Sequence, residues 1–182
     1  MAVTFIDGAS ESVTLNAQQG SNTFYVGQTD PATPIVINGN GGDDEFVIWQ
    51  DQYLFPGPVT FNGGGGTDTA TVNLSPYSEF YPGMPFTLST SSITSPAFGG
   101  LTYSGVEAIA LFGGAMADTF TVNGMTASLS IDALGGADTV LLANGTLDTI
   151  TSSVSVDGGT ESDAITLRDQ SHAGNDTYTY TR

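Results

Sequence analysis

Apolar and polar residues alternate along most of this chain. Residues 35–48 read IVINGNGGDDEFVI and residues 59–74 read VTFNGGGGTDTATVNL. In each block a short alternating run leads into a glycine-rich turn, an acid and a second alternating run. Alternation of period two marks a strand with one buried face. The β-branched residues that fill these runs favour the same assignment. In TATVNL the pattern points Ala70, Val72 and Leu74 one way, and Phe120 and Val122 follow the same rule. No stretch predicts an amphipathic helix. VEAIALF, residues 106–112, comes nearest, but it is short, rich in β-formers and stopped by Gly113-Gly114.

The block recurs. IALFGGAMADTFTV covers 109–122, LSIDALGGADTVLL covers 129–142 and VSVDGGTESDAITL covers 154–167. AQQGSNTFYV, 17–26, is a degenerate early copy, and SHAGNDTYTYT, 171–181, a shortened last one. The aligned turn positions are Asn22, Asp44, Asp68, Asp118, Asp138, Asp163 and Asp176, at successive spacings of 22, 24, 50, 20, 25 and 13. The spacing of 50 reads as two repeats around an insertion at 75–104. A period of 20–25 residues suits one coil of a parallel β-helix. One coil cannot bury its apolar face alone, so coils stack. The expected fold is therefore all-β: a parallel β-helix or β-solenoid of either hand, one domain over 1–182, with roughly seven coils. One edge of each coil would carry the acidic turn. The glycines are expected there because a corner needs positive φ, which glycine adopts without a Cβ clash.

Charge sharpens the picture. The chain has 19 acids against 2 bases and no lysine, for a net charge of −17. No basic patch can form to neutralise phosphates, which excludes nucleic acid as a partner. Docking on an anionic membrane fails for the same reason, and no run of apolar residues is long enough to span one. Cysteine is absent, so disulfides and thiol chemistry are excluded. Charge of this magnitude opposes compaction unless counter-ions help. Carboxylates and backbone carbonyls are the ligands Ca²⁺ prefers. The composition suggests an extracellular or cell-surface protein, although MAVTFIDG lacks the basic and apolar regions of a signal peptide.

The turns resemble the RTX, or haemolysin-type, calcium-binding nonapeptide, Gly-Gly-any-Gly-any-Asp-any-apolar-any. GNGGDDEFV, 39–47, matches at Gly39, Gly42, Asp44 and Phe46; GGGGTDTAT, 63–71, matches at Gly63, Gly64, Gly66 and Asp68. Other copies depart: Met116 and Glu161 stand where the third glycine belongs, and ALGGADTVL keeps only Gly136, Asp138 and Val140. In that family the nonapeptides run in tandem with Ca²⁺ between stacked turns, whereas here they are isolated, one per coil. The resemblance implies Ca²⁺ at Asp43, Asp44, Asp68, Asp118 and Asp138, with Asp163, Asp176, Asn22 and Asn40 as further ligands. A second similarity, to the strand repeats of giant bacterial exoproteins, rests on LTYSGVEAIALFGGAMADTFTV, 101–122, and implies a surface or matrix role. The residues themselves leave a second reading open, in which each Asp only caps backbone N–H groups.

Asn38, Asn62, Asp132 and Asp157 precede the turns and suit a second ligand column, an Asn/Asp ladder or simple turn initiation. The segments 49–61 and 75–86 concentrate Trp49, Tyr53, Phe55, Tyr77, Phe80, Tyr81 and Phe86. They suit glycan binding or a satellite core. His172 has no partners for chemistry. The Thr-any-Thr units are too interrupted for an ice-binding array. No helix-opening phosphate loop or His-containing triad is present, and the acids recur at equivalent positions instead of converging on one site. The expectation is a non-enzymatic, secreted or surface module stabilised by Ca²⁺ and assembling end to end, with carbohydrate binding as the alternative.

Overall fold

A computed structural model describes residues 12–27, 29–49, 57–75, 83–96, 98–171 and 174. Among them there are strands and no α-helix. The alternating runs become strands as the pattern requires. VEAIALF contributes to one of them, because Ile109 and Leu111 face inward while Ala108 and Ala110 face out.

Three coils come first, each a pair of strands: β1 (Val13–Asn16) and β2 (Thr23–Val26), β3 (Ile35–Gly41) and β4 (Glu45–Trp49), β5 (Val59–Gly65) and β6 (Thr69–Asn73). Within each pair the chain crosses from a first sheet to a second. The segment read as an insertion supplies β7 (Pro85–Leu88), β8 (Ser92–Ser95) and β9 (Phe98–Ser104). The remaining strands are β10 (Ala108–Gly114), β11 (Thr119–Val122), β12 (Ser128–Leu134), β13 (Thr139–Leu142), β14 (Val154–Asp157) and β15 (Ala164–Leu167). The first sheet runs β1-β3-β5-β9-β8-β7-β11-β13-β15 and the second β14-β12-β10-β6-β4-β2. Only β8 is antiparallel to its neighbours. The result is a parallel β-solenoid of about six turns; the shortened last copy expected at 171–181 lies almost wholly outside the described residues.

The insertion has a topological consequence. In the first three coils, the strand before the acidic turn lies in the first sheet and the strand after it in the second. The β7–β8–β9 meander adds strands to the first sheet alone. When the repeat resumes, β10, β12 and β14 lead into the acidic turns from the second sheet, and β11, β13 and β15 leave in the first. The turns thus change edge halfway along the solenoid. The expected single acidic edge is corrected to two half-length edges on opposite sides.

The interior is a continuous apolar column. Phe46 stacks on Phe61 at 5.1 Å between ring centroids, and Phe86 on Phe120 at 5.0 Å. All four rings are fully buried. Phe61 and Phe86 therefore belong to the main core and not to a satellite beside it. Tyr53, Phe55, Tyr77, Phe80, Tyr81 and His172 lie outside the described residues. The Tyr103 hydroxyl donates to the Ser89 carbonyl at 2.6 Å, and burial pushes its pKa up to about 12.

Candidate functional site

The acidic turns form hydrogen-bonded ladders. Asp44 Oδ1 accepts the Asn22 N–H at 2.8 Å, Asp68 Oδ1 accepts the Asp44 N–H at 2.8 Å, and Glu107 Oε2 accepts the Asp68 N–H at 2.7 Å. On the opposite edge Asp118 Oδ1 accepts from Met84 at 2.6 Å, Asp138 Oδ1 from Asp118 at 2.6 Å, and Asp163 Oδ1 from Asp138 at 2.9 Å. Each carboxylate thus caps the backbone of the coil before it. The backbone answers in the other direction, since Thr69 N–H donates to Asp44 O and Thr139 N–H to Asp118 O, both at 2.9 Å. Rung and neighbour are sealed by two bonds of opposite sense.

Sequence reasoning missed two rungs. Glu107 stands in register with Asp68, because Ala108 pairs with Thr69. Its turn, Ser-Gly-Val-Glu, lacks the glycine pair, and its side chain is one methylene longer. The available signal was an acid immediately before an alternating apolar run. Met84 fills the first place on the second edge, because Pro85 pairs with Thr119; no side-chain chemistry marks it.

Glycine serves two purposes here. Four residues before the rung stand Asn40, Gly64, Leu134 and Gly159, and two before it Gly42, Gly66, Gly136 and Glu161, all with positive φ. Five before it stand Gly39, Gly63, Gly113 and Gly158, none of which has positive φ. A Cβ on any of these four would run into the Oδ2 of its own rung, Asp44, Asp68, Asp118 or Asp163. The carboxylate lies against the bare glycine Cα, and that close approach requires the residue.

Burial loads the carboxylates. Asp44, Asp68, Asp118 and Asp138 are at most 2% exposed. Asp118 Oδ2 accepts the Gly114 N–H at 2.7 Å, but the Oδ2 atoms of Asp44, Asp68 and Asp138 have no partner. Desolvation raises the Asp68 pKa against the pull of the Asp44 N–H, and the charges of Asp44, Glu107 and Asp43 raise it further. Desolvation also raises that of Asp118. Asp138 is pushed up to about 6, chiefly by burial and then by the charges of Asp118, Asp163 and Glu161.

The remaining candidates flank the ladders or, as with Asn22, begin one. Asp43 Oδ1 accepts the Thr67 N–H at 2.8 Å on the outside of the turn. Asn40 donates its amide to Ala17 O at 2.7 Å. The amide of Asn22 donates to Asp44 Oδ1 at 2.9 Å. Glu161 Oε2 accepts from the Thr160 hydroxyl and the Gly136 N–H, which together lower its pKa. Asp176 lies outside the described residues. Ca²⁺ takes about 6–8 oxygen ligands. Among the described residues, no three acidic or histidine side chains converge on one point. The orphaned Oδ2 atoms are where a proton or cation would be felt most, but any calcium shell would need backbone carbonyls to complete it.

The column preceding the turns differs between the two halves. In the first it is an amide ladder: Asn38 donates to Asn16 at 2.7 Å, Asn62 to Asn38 at 2.8 Å, and the Ser104 hydroxyl to Asn62 at 2.8 Å. In the second, Asp132 and Asp157 pair across neighbouring strands, each accepting one N–H from its own turn. A shallow groove of about 440 Å³ over the hairpin is lined by Pro85, Thr87, Thr94, Ser95, Pro96 and Phe98. It brings no titratable group to bear. No protein-family model, curated protein or solved structure matches the chain.

Proposed function

We propose that this protein is a structural repeat module of the cell surface or extracellular matrix, and not an enzyme. One observation carries the reading: the recurrent acids are spent on architecture, one rung per coil, with their Oδ1 or Oε2 atoms bonded to backbone. A site for chemistry would gather unlike groups at one place, and these like groups are spread along two edges. Ca²⁺ enters the proposal as a stabiliser of the charged turns, in keeping with their resemblance to the RTX nonapeptide. It would act through the ladder carboxylates, the outer acid Asp43 and the carbonyls beside them. End-to-end association into fibres belongs to the same reading, because β15, the last strand among the described residues, has Ile165 and Leu167 about half exposed and open strand edges template pairing.

Thermal unfolding followed by circular dichroism, in EDTA and then across a Ca²⁺ titration with Mg²⁺ as control, tests the metal. A ligand that binds only the folded state must raise the midpoint by mass action. A Ca²⁺-specific rise is expected, and an unchanged midpoint means that the hydrogen-bonded ladders hold the turns alone. Light scattering and negative-stain imaging of the same samples test assembly, and a monodisperse monomer throughout would count against fibres.

A further inference from the structure

We propose that the outer face of the second sheet binds a cationic amino-sugar polymer laid along the solenoid axis. Register places Trp49, Asn73, Phe112, Asp132 and Asp157 in one column across successive strands β4, β6, β10, β12 and β14. All five lie out of phase with the inward set Ile48, Val72, Leu111, Ile131 and Val156, which puts the column on the outer side of the sheet; Asn73 within it is buried, its Oδ1 accepting from the Ser75 N–H and hydroxyl. Strands repeat at ~4.8 Å, about the length of one sugar ring, so a polysaccharide running along the column meets one coil per sugar.

Three features of the face point to this ligand. Large aromatic surface is exposed at one end: Trp49 is 49% exposed and Tyr25, on the adjacent strand, 74%. Flat rings of this kind stack on the apolar faces of sugars and attract cations. At the other end Asp132 and Asp157 stand side by side. Like charges on paired strands destabilise a sheet, and the equivalent positions of the first half avoid that cost with the Asn38–Asn62 amide ladder. Arg168 is the sole basic side chain among the described residues, and a cation beside the pair would relieve the repulsion. Finally, a net charge of −17 repels polyanions and draws polycations. Aromatic stacking at one end and paired carboxylates at the other suit a chain of sugars that carries amines.

Trp49 is the only tryptophan, so its fluorescence reports on the face directly. Glucosamine hexamer is titrated into the full chain, with the fully N-acetylated hexamer, a lysine oligomer of equal charge and Ca²⁺ alone as comparison probes. Saturable binding of the amine form, with a shift in Trp49 emission, is expected. By calorimetry, Trp49→Ala and the double variant Asp132→Asn/Asp157→Asn should each weaken it about tenfold or more, while Glu161→Gln should not. Four outcomes would overturn the proposal: no binding, equal binding of the acetylated hexamer, lysine binding as tight and as dependent on Trp49, or Ca²⁺ alone occupying the aspartate pair with no sugar bound. None of these depends on whether calcium stabilises the turns.

Discussion

Acid is expected to stabilise this fold. Asp138 holds its proton up to about pH 6 when folded, against an ordinary value of 3.8 for an unfolded chain. Between those values the folded state carries a proton that the unfolded state has released. Unfolding free energy therefore falls as pH rises through the window and is level below it. The full difference corresponds to about 3 kcal/mol at neutral pH; screening by water at the turn reduces the working figure to about 1–3 kcal/mol. Asp68 and Asp118 are shifted in the same direction and steepen the slope. Asp138→Asn isolates the effect, because the amide oxygen still accepts the Asp118 N–H while the ionisation is gone. Its absolute stability depends on how the new N–H₂ group is housed, but its pH slope does not. Glu45→Gln, on an exposed outward position, removes the same formal charge and controls for general repulsion. Urea unfolding at fixed ionic strength, from about pH 4 to 7.5, provides the slopes. Asp138→Asn should flatten the dependence and Glu45→Gln should leave it near that of the parent. A parent whose stability is level or rises with pH would refute the reasoning, as would an Asp138→Asn variant that keeps the parental slope.

Two substitutions test the glycine assignments. Gly63→Ala drives a Cβ into the Gly105 carbonyl and Asp68 Oδ2 and should cost about 1–3 kcal/mol or more. Gly65→Ala, whose Cβ meets nothing closer than 4.0 Å, should be close to neutral in the same thermal melts. Leu134 sits at φ 70° where the equivalent residue of an earlier coil is Asn40 at φ 71°. Leu134→Asn should therefore gain up to about 1 kcal/mol by relieving left-handed strain, and a lower melting midpoint would count against the strain.

Much of the fold was legible because it is written locally. Period-two alternation, turn glycines and a repeat of 20–25 residues suffice for stacked parallel strands. The acids were legible as a series, and capping of backbone N–H groups was one of the two roles that their residue type allowed. Which edge each turn occupies was not legible. IVINGNGGDDEFV and LSIDALGGADTVL look alike, and a coil has two edges, so local sequence carries no record of the side on which a turn falls. That is decided by the long-range pairing of β7 with β11 and of β9 with β5. Gly39 and Gly63 were expected to supply positive φ; they supply room for a carboxylate, which only the partner's position reveals.

The change of edge also decides what the outer faces present. Six residues before the aspartate rungs stand Asn38 and Asn62 in the first half and Phe112, Asp132 and Asp157 in the second. Had the coils continued without the β7–β8–β9 meander, the second group would have stacked onto Asn62 in the first sheet, at the end of the amide ladder. The meander instead carries them to the second sheet, where Phe112 pairs with Asn73 and Asn73 with Trp49. The aromatic end and the acidic end of the proposed binding face thus come from different halves of the repeat. They form one column only because an odd number of added strands shifts the phase by half a coil. A repeat that is uniform in sequence is turned into a molecule with two unlike sides, and the unlike side is the one on which a ligand is expected.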